Sequence, residues 1–169
     1  MRDRIESILG WFLVFIFLAT TVAVVWQVIG RYLLDAPSSA TEEIARFMLI
    51  WMGMLSTCYG FSRRMHVGVD LISSKLARSQ RRAITRFIWG TCALFALLVL
   101  VYGGGRLVQT TATLGQVSPA LGMPVWIVYM VVPISGILIA FFALAFMLRG
   151  ESIRPAYEEA EAEAEGEVA

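Results

Sequence analysis

The chain has 169 residues, 58% of them hydrophobic, with a mean hydropathy of +0.71. A soluble domain of this size could not hide that much apolar surface, so the composition excludes one and selects a membrane protein. The net charge of +1 carries little information as a sum. Its placement carries more, because the basic residues cluster between apolar runs and the acidic ones gather at the C-terminus.

Residues 1–7 form a basic start with Arg2 and Arg4, and the first apolar run, Ile8–Leu34, follows. This run outlasts the ~7–15 residues of a signal-peptide core and ends at no convincing cleavage site, so it reads as an uncleaved membrane helix. Three more runs cover Ile44–Phe61, Ile84–Tyr102 and Val125–Leu148. Each is of the ~20-residue length that carries a helix across ~30 Å of hydrocarbon. None carries a charge at its centre. A substrate path through a bilayer ordinarily contains an acid or a base. These spans therefore point to a protein whose partner subunit moves the substrate.

Between spans one and two lies Asp35-Ala36-Pro37-Ser38-Ser39. Pro37 disfavours helix at Ala36. Ser39 followed by Glu42 fits a capping box, in which the hydroxyl and the carboxylate each satisfy a free amide at the helix start. Glu42 and Arg46 stand one turn apart in the favourable order, and Arg31 lies across the short loop within reach of either Glu42 or Glu43. Helix capping explains this group; a docking point for a partner outside the membrane is compatible with it. Within span two, Gly53, Ser56, Thr57 and Gly60 share one helical side. Small residues at such spacing let helices approach closely in lipid, either inside the subunit or against another one.

Val69–Ala83 reads as an amphipathic helix, with Val69, Ile72, Leu76 and Ala83 on one side and Lys75, Arg78, Ser79 and Arg82 on the other. Such a helix either lies in the membrane interface and attracts anionic phospholipid headgroups or offers a basic contact surface to another protein. Held against the bilayer, it is no nucleic-acid site. Gly103-Gly104-Gly105 predicts a flexible break at the end of span three. Arg106–Gln116 then either lies along the surface or extends the helix, and the sequence does not choose. Pro119, Gly122 and Pro124 mark a turn before span four, in which Pro133 predicts a kink unless neighbours satisfy the freed carbonyl. Residues 149–169, rich in Glu after Pro155, read as a solvated acidic tail.

Charge bias sets orientation. Arg2 and Arg4, then Arg63, Arg64, Lys75, Arg78, Arg81, Arg82 and Arg86, then Arg149 and Arg154 fall on one side; the other holds only Arg31, Arg46 and Arg106. Both termini and the middle loop are thereby assigned to the cytoplasm. Trp11 and Trp89 would mark the cytoplasmic interface, and Trp26 and Trp126 the outer one. The reading is an all-α integral membrane protein of four transmembrane helices with short interfacial amphipathic helices. Cys58 and Cys92 fall inside spans and read as small apolar residues. The single histidine, His66, excludes bis-histidine haem in a monomer. With no Cys/His cluster and no nucleophile–base pair, the sequence calls for no metal, no cofactor and no enzymatic activity.

Arg31-Tyr32, Thr41-Glu42-Glu43-Ile44-Ala45-Arg46-Phe47, Trp51-Met52-Gly53 and Ser62-Arg63-Arg64-Met65-His66-Val67-Gly68-Val69-Asp70 together resemble a known family. So does Pro119-Ala120-Leu121-Gly122-Met123-Pro124-Val125-Trp126 before span four. The family is the small membrane subunit, of DctQ type, of the tripartite ATP-independent periplasmic (TRAP) transporters. The similarity covers residues 8–148 and leaves the acidic tail outside.

The resemblance implies a bacterial inner-membrane scaffold for a large DctM-type subunit, in a sodium-driven uptake system for small organic acids of the dicarboxylate kind. A periplasmic substrate-binding protein delivers the substrate. By matching position, Arg31, Glu42, Glu43 and Arg46 lie on the outer face where that protein docks. Gly53, Ser56, Thr57 and Gly60 are the candidate packing face for the large subunit. Arg63, Arg64, His66, Asp70, Lys75, Arg78 and Arg82 form the cytoplasmic turn and its phospholipid interface. Two competing readings are a small four-helix exporter, which needs a membrane-embedded carboxylate, and an assembly subunit of another membrane complex.

Overall fold

The structure, a computed structural model, describes residues 2–34, 38–63 and 78–149. Its elements are α1 (Arg2–Tyr32), α2 (Ser39–Ser62), α3 (Arg78–Phe95), a π-helical segment (Ala96–Gly103), α4 (Gly104–Thr113), α5 (Val125–Tyr129) and α6 (Val131–Arg149). Among the described residues four helices are long and apolar enough to cross a membrane: Arg4–Tyr32, Ser39–Ser62, Ile84–Thr113 and Val125–Leu148. The protein is an all-α, four-span membrane protein. Among the described residues the only extended pairing is one isolated bridge, Val117 with Pro124.

The spans stand in a row rather than a closed square. Among the named elements α1 packs on α2 alone, α2 packs in turn on span four, and span three packs on span four. Span four is therefore central and apolar all round, whereas α1 turns Trp11, Phe15, Val22 and Trp26 outward. Helices need no polar face in a bilayer, because lipid is as apolar as leucine.

The core has an aromatic centre where α2 ends, span three begins and span four ends. Trp89 sits 4.8 Å from Phe146 and 5.5 Å from Phe61, ring centre to ring centre. At 2% exposure Trp89 is a core residue rather than the interfacial anchor expected from its place near a span end. The side of the helix it occupies faces two other aromatic-bearing helices. Trp11 and Trp26 are exposed, as interface residues would be.

Three local expectations need correction or completion. The α2 cap is Ser38, not Ser39: Ser38 is extended and its hydroxyl accepts the Thr41 amide at 3.4 Å. The residue three places on is Thr41, so no Ser–Glu capping box forms, and the Thr41 hydroxyl returns a bond to the Ser38 carbonyl at 2.9 Å. The long cap bond sets a small cost. Ser38→Ala should destabilise the protein by about 0.5 kcal/mol, the low end for helix caps, read as a small downward shift of the melting temperature in detergent.

Gly103–Gly105 does not break span three. The chain stays helical to Thr113, first with π-type hydrogen bonds, then as α4. Gly104 has Val132 and Pro133 against it, so close packing offsets glycine's weak helix propensity. The real stop is Gly115, in the left-handed region at φ +58°. Its amide bonds the Ala112 carbonyl at 3.1 Å, and the Gln116 amide bonds that of Thr111 at 3.3 Å. This is a Schellman closure, which wants glycine at that position. Near Pro133 the helical bonding of the fourth span changes at Met130, between α5 and α6, while Met130 itself keeps helical backbone angles. Proline offers no N–H to the carbonyl four residues back.

Candidate functional site

Two features at different places on α2 are candidates for contact with partners. The first is the end of the bundle where α1 finishes and α2 starts. Glu42 and Arg46 form the expected one-turn ion pair at 2.9 Å, both well exposed. Glu43, one residue on, points elsewhere. Its Oε2 accepts the amides of Ala120 at 3.0 Å and Leu121 at 2.9 Å, from the loop that leads into span four. Arg31 takes neither acid among the described residues; its guanidinium lies 5.8 Å from the centre of the Tyr32 ring. The four charges foreseen as one group thus separate into an exposed ion pair, an exposed cation and an acid committed to a loop.

That loop is built from its own backbone. The Ser118 amide bonds the Met123 carbonyl at 2.9 Å and the Val125 amide that of Gln116 at 3.0 Å. The Ser118 hydroxyl accepts the Met123 amide at 3.3 Å. Gly122, at φ +64°, closes the turn with its amide on the Ser118 carbonyl at 3.0 Å. Pro119, Ala120 and Leu121 form the exposed tip.

The second feature is the small-residue side of α2. A Cβ added at Gly53 or Gly60 would meet nothing within 4 Å. Ser56 and Thr57 are exposed, and both hydroxyls bond back to the Gly53 carbonyl, at 3.0 and 2.9 Å. Among the described residues nothing in the subunit packs against this side. Its polar groups are already satisfied, so an apolar neighbour can cover it without leaving a hydroxyl unpaired.

At the opposite end of α2, Arg63 stacks on Tyr59 at 5.5 Å from the ring centre and reaches Glu6 at 4.0 Å. These residues line a cleft of about 630 Å³ between α1 and α2. Glu6 is the contributor that sequence reasoning missed. Its signal was an acid isolated between Arg4 and the first apolar run, beside a helix end rich in arginine. Arg64, His66, Asp70 and Lys75 lie outside the described residues, as does most of the amphipathic segment Val69–Ala83. Arg78 and Arg82 belong to the first turns of α3. Cys58 is buried, with its thiol on the Ser135 carbonyl at 3.4 Å, and Cys92 is partly buried; both are free.

The fold is a four-span membrane protein with its helices in a row, no charge at the centre of any span and, among the described residues, an uncovered small-residue side on α2. The family "Tripartite ATP-independent periplasmic transporters, DctQ component" matches residues 20–152, and the chain belongs to it. It is a TRAP small permease subunit, a multi-pass protein of the bacterial inner membrane and a transporter component rather than an enzyme.

Among similar proteins, the isethionate TRAP transporter permease protein DctMQ of Oleidesulfovibrio alaskensis is 34% identical over 68% of this chain. The C4-dicarboxylate TRAP transporter small permease protein DctQ of Rhodobacter capsulatus is 27% identical over 65%. The ectoine TRAP transporter small permease protein TeaB of Halomonas elongata is 30% identical over 84%. The chain spans 18%, 50% and 74% of the lengths of these three relatives.

Proposed function

We propose that this chain is the scaffold of a sodium-driven TRAP system for small organic acids, dicarboxylates among them. It joins a large DctM-type membrane subunit and helps a periplasmic substrate-binding protein to dock. The carrying observation is the open side of α2 at Gly53, Ser56, Thr57 and Gly60, shaped for a close helix contact and uncovered among the described residues. The spans supply no central acid or base, so a partner must hold the transport site. Support for such a partner comes from the DctMQ relative, of whose length this chain spans 18%.

In this reading both termini are cytoplasmic, and Arg31, Glu42, Glu43 and Arg46 belong to the docking face outside. Arg63, Arg64, His66, Asp70, Lys75, Arg78 and Arg82 hold the cytoplasmic turn against phospholipid. Substrate choice does not reside here, since similar relatives carry names as different as isethionate, C4-dicarboxylate and ectoine.

The test is a mild-detergent pull-down of the tagged chain, followed by reconstitution. A large polytopic subunit should co-purify in about equal amount, and uptake with its binding protein should cease when sodium is replaced by choline. Recovery of the chain alone as a stable homo-oligomer would overturn the reading in favour of an independent small exporter.

A further inference from the structure

The backbone amides that hold the loop between Gln116 and Val125 divide sharply by partner. The amides of Ser118, Gly122, Met123 and Val125 are satisfied by the loop itself. Pro119 and Pro124 have none to give. The two amides of the exposed tip, Ala120 and Leu121, both go to the same oxygen of Glu43, a residue 77 and 78 positions away on α2. Two consecutive amides converging on one carboxylate oxygen form an anion-binding concavity, here filled by the protein's own side chain. Glu42 instead remains exposed and, among the described residues, pairs along its helix with Arg46.

We infer that Glu43 is a positioning residue: it holds the tip Pro119-Ala120-Leu121 in the shape that meets the substrate-binding protein and does not touch that protein itself. This rests on the docking reading above and refines it: Glu43 serves the docking face only through the loop it holds, not by contact of its own. The distinction has a chemical signature. Two amide donors need an acceptor oxygen, which glutamine also supplies; a direct contact by Glu43 with a cationic partner needs the charge, which glutamine lacks.

The experiment uses the complete transporter in proteoliposomes, with purified substrate-binding protein added over a range of concentrations. Uptake gives a maximal rate and a half-saturating concentration of binding protein. Hydrogen exchange over residues 116–124 is followed in the same complexes. Glu43→Ala should speed exchange at Ala120 and Leu121 and raise the half-saturating concentration about tenfold, because a loosened loop must be ordered on binding. Its maximal rate should not change. Glu43→Gln should fall between the parent and Glu43→Ala, because its amide oxygen still accepts both amides at about half the strength of a carboxylate. Leu121→Asp should impair docking with Glu43 intact. The Glu43→Ala/Leu121→Asp double variant should be no worse than Leu121→Asp alone, since both act on one loop.

Unchanged exchange in Glu43→Ala would overturn the inference. So would Glu43→Gln as damaging as Glu43→Ala, or faster exchange with no change in half-saturation. Charge reversal at Glu42 and Arg46 judges the docking reading separately: a raised half-saturating concentration there keeps it standing even if the Glu43 inference falls. Leu121→Asp and Glu43→Gln keep the question decidable if Glu43→Ala fails to assemble.

Discussion

Replacing Gly53 and Thr57 together by leucine should abolish recovery of the large subunit while leaving this chain folded. Nothing lies within 4 Å of a Cβ at Gly53, and Thr57 is exposed, so the subunit has room for both side chains. Helix propensity at position 53 improves by about 1 kcal/mol on leaving glycine. The isolated chain should therefore elute unchanged from size exclusion and melt no lower. A partner helix packed closely on this side would be pushed outward by the width of a leucine. In lipid, where association relies on close packing rather than on expulsion of water, that separation removes most of the attraction. The co-purified large subunit should fall by roughly tenfold or more, each ~1.4 kcal/mol of lost affinity being tenfold. Undiminished recovery would show that this side faces lipid and that the large subunit binds elsewhere.

Gly136→Leu should have the reverse character, a failure of the chain itself. A Cβ at Gly136 would stand 2.6 Å from the Leu100 Cβ, 2.9 Å from the Val101 Cγ2 and 3.0 Å from the Val101 amide nitrogen. Two of those atoms cannot swing aside, because they belong to or adjoin the backbone of the π-helical segment. Span three and span four must then separate along the contact that holds span three in place. Overpacking typically costs about 1–3 kcal/mol, which is what Gly136→Ala should show as a lowered melting temperature. Gly136→Leu exceeds that range and should yield aggregated protein in detergent. Gly105→Ala, on the same span as Leu100 with nothing within 4 Å, is the control and should be neutral or stabilising. Normal folding of Gly136→Leu would mean that spans three and four are not packed at this point.

Much of the fold was legible before any coordinates. The hydropathy pattern bounds span four at Val125–Leu148, as the structure does. The Glu42–Arg46 pair followed from spacing alone. The misreadings share a cause. Gly103–Gly105 looked like a break because glycine is a poor helix former, but at Gly104 its lack of a side chain admits Val132 and Pro133. Trp89 looked like an interface anchor because of its depth in the span, but depth says nothing about which side of the helix it occupies. Ser38 and Ser39 are equivalent as caps by composition, and only the backbone angles at Ser38 distinguish them.

Hydropathy, charge placement and short motifs were sufficient for the class, the four spans and the family, because span length and composition are properties of contiguous chain. They could not tell whether the small-residue side of α2 is covered within the subunit, nor where the Glu43 carboxylate goes. Both depend on how the row of helices is arranged: α1 and span four take other sides of α2 and leave this one open. The same arrangement brings a loop 77 residues distant within hydrogen-bond reach of an acid that, in sequence, looks like its neighbour Glu42. Local pattern records what each helix can offer; packing in three dimensions decides which offer is taken up inside the subunit and which is left for a partner.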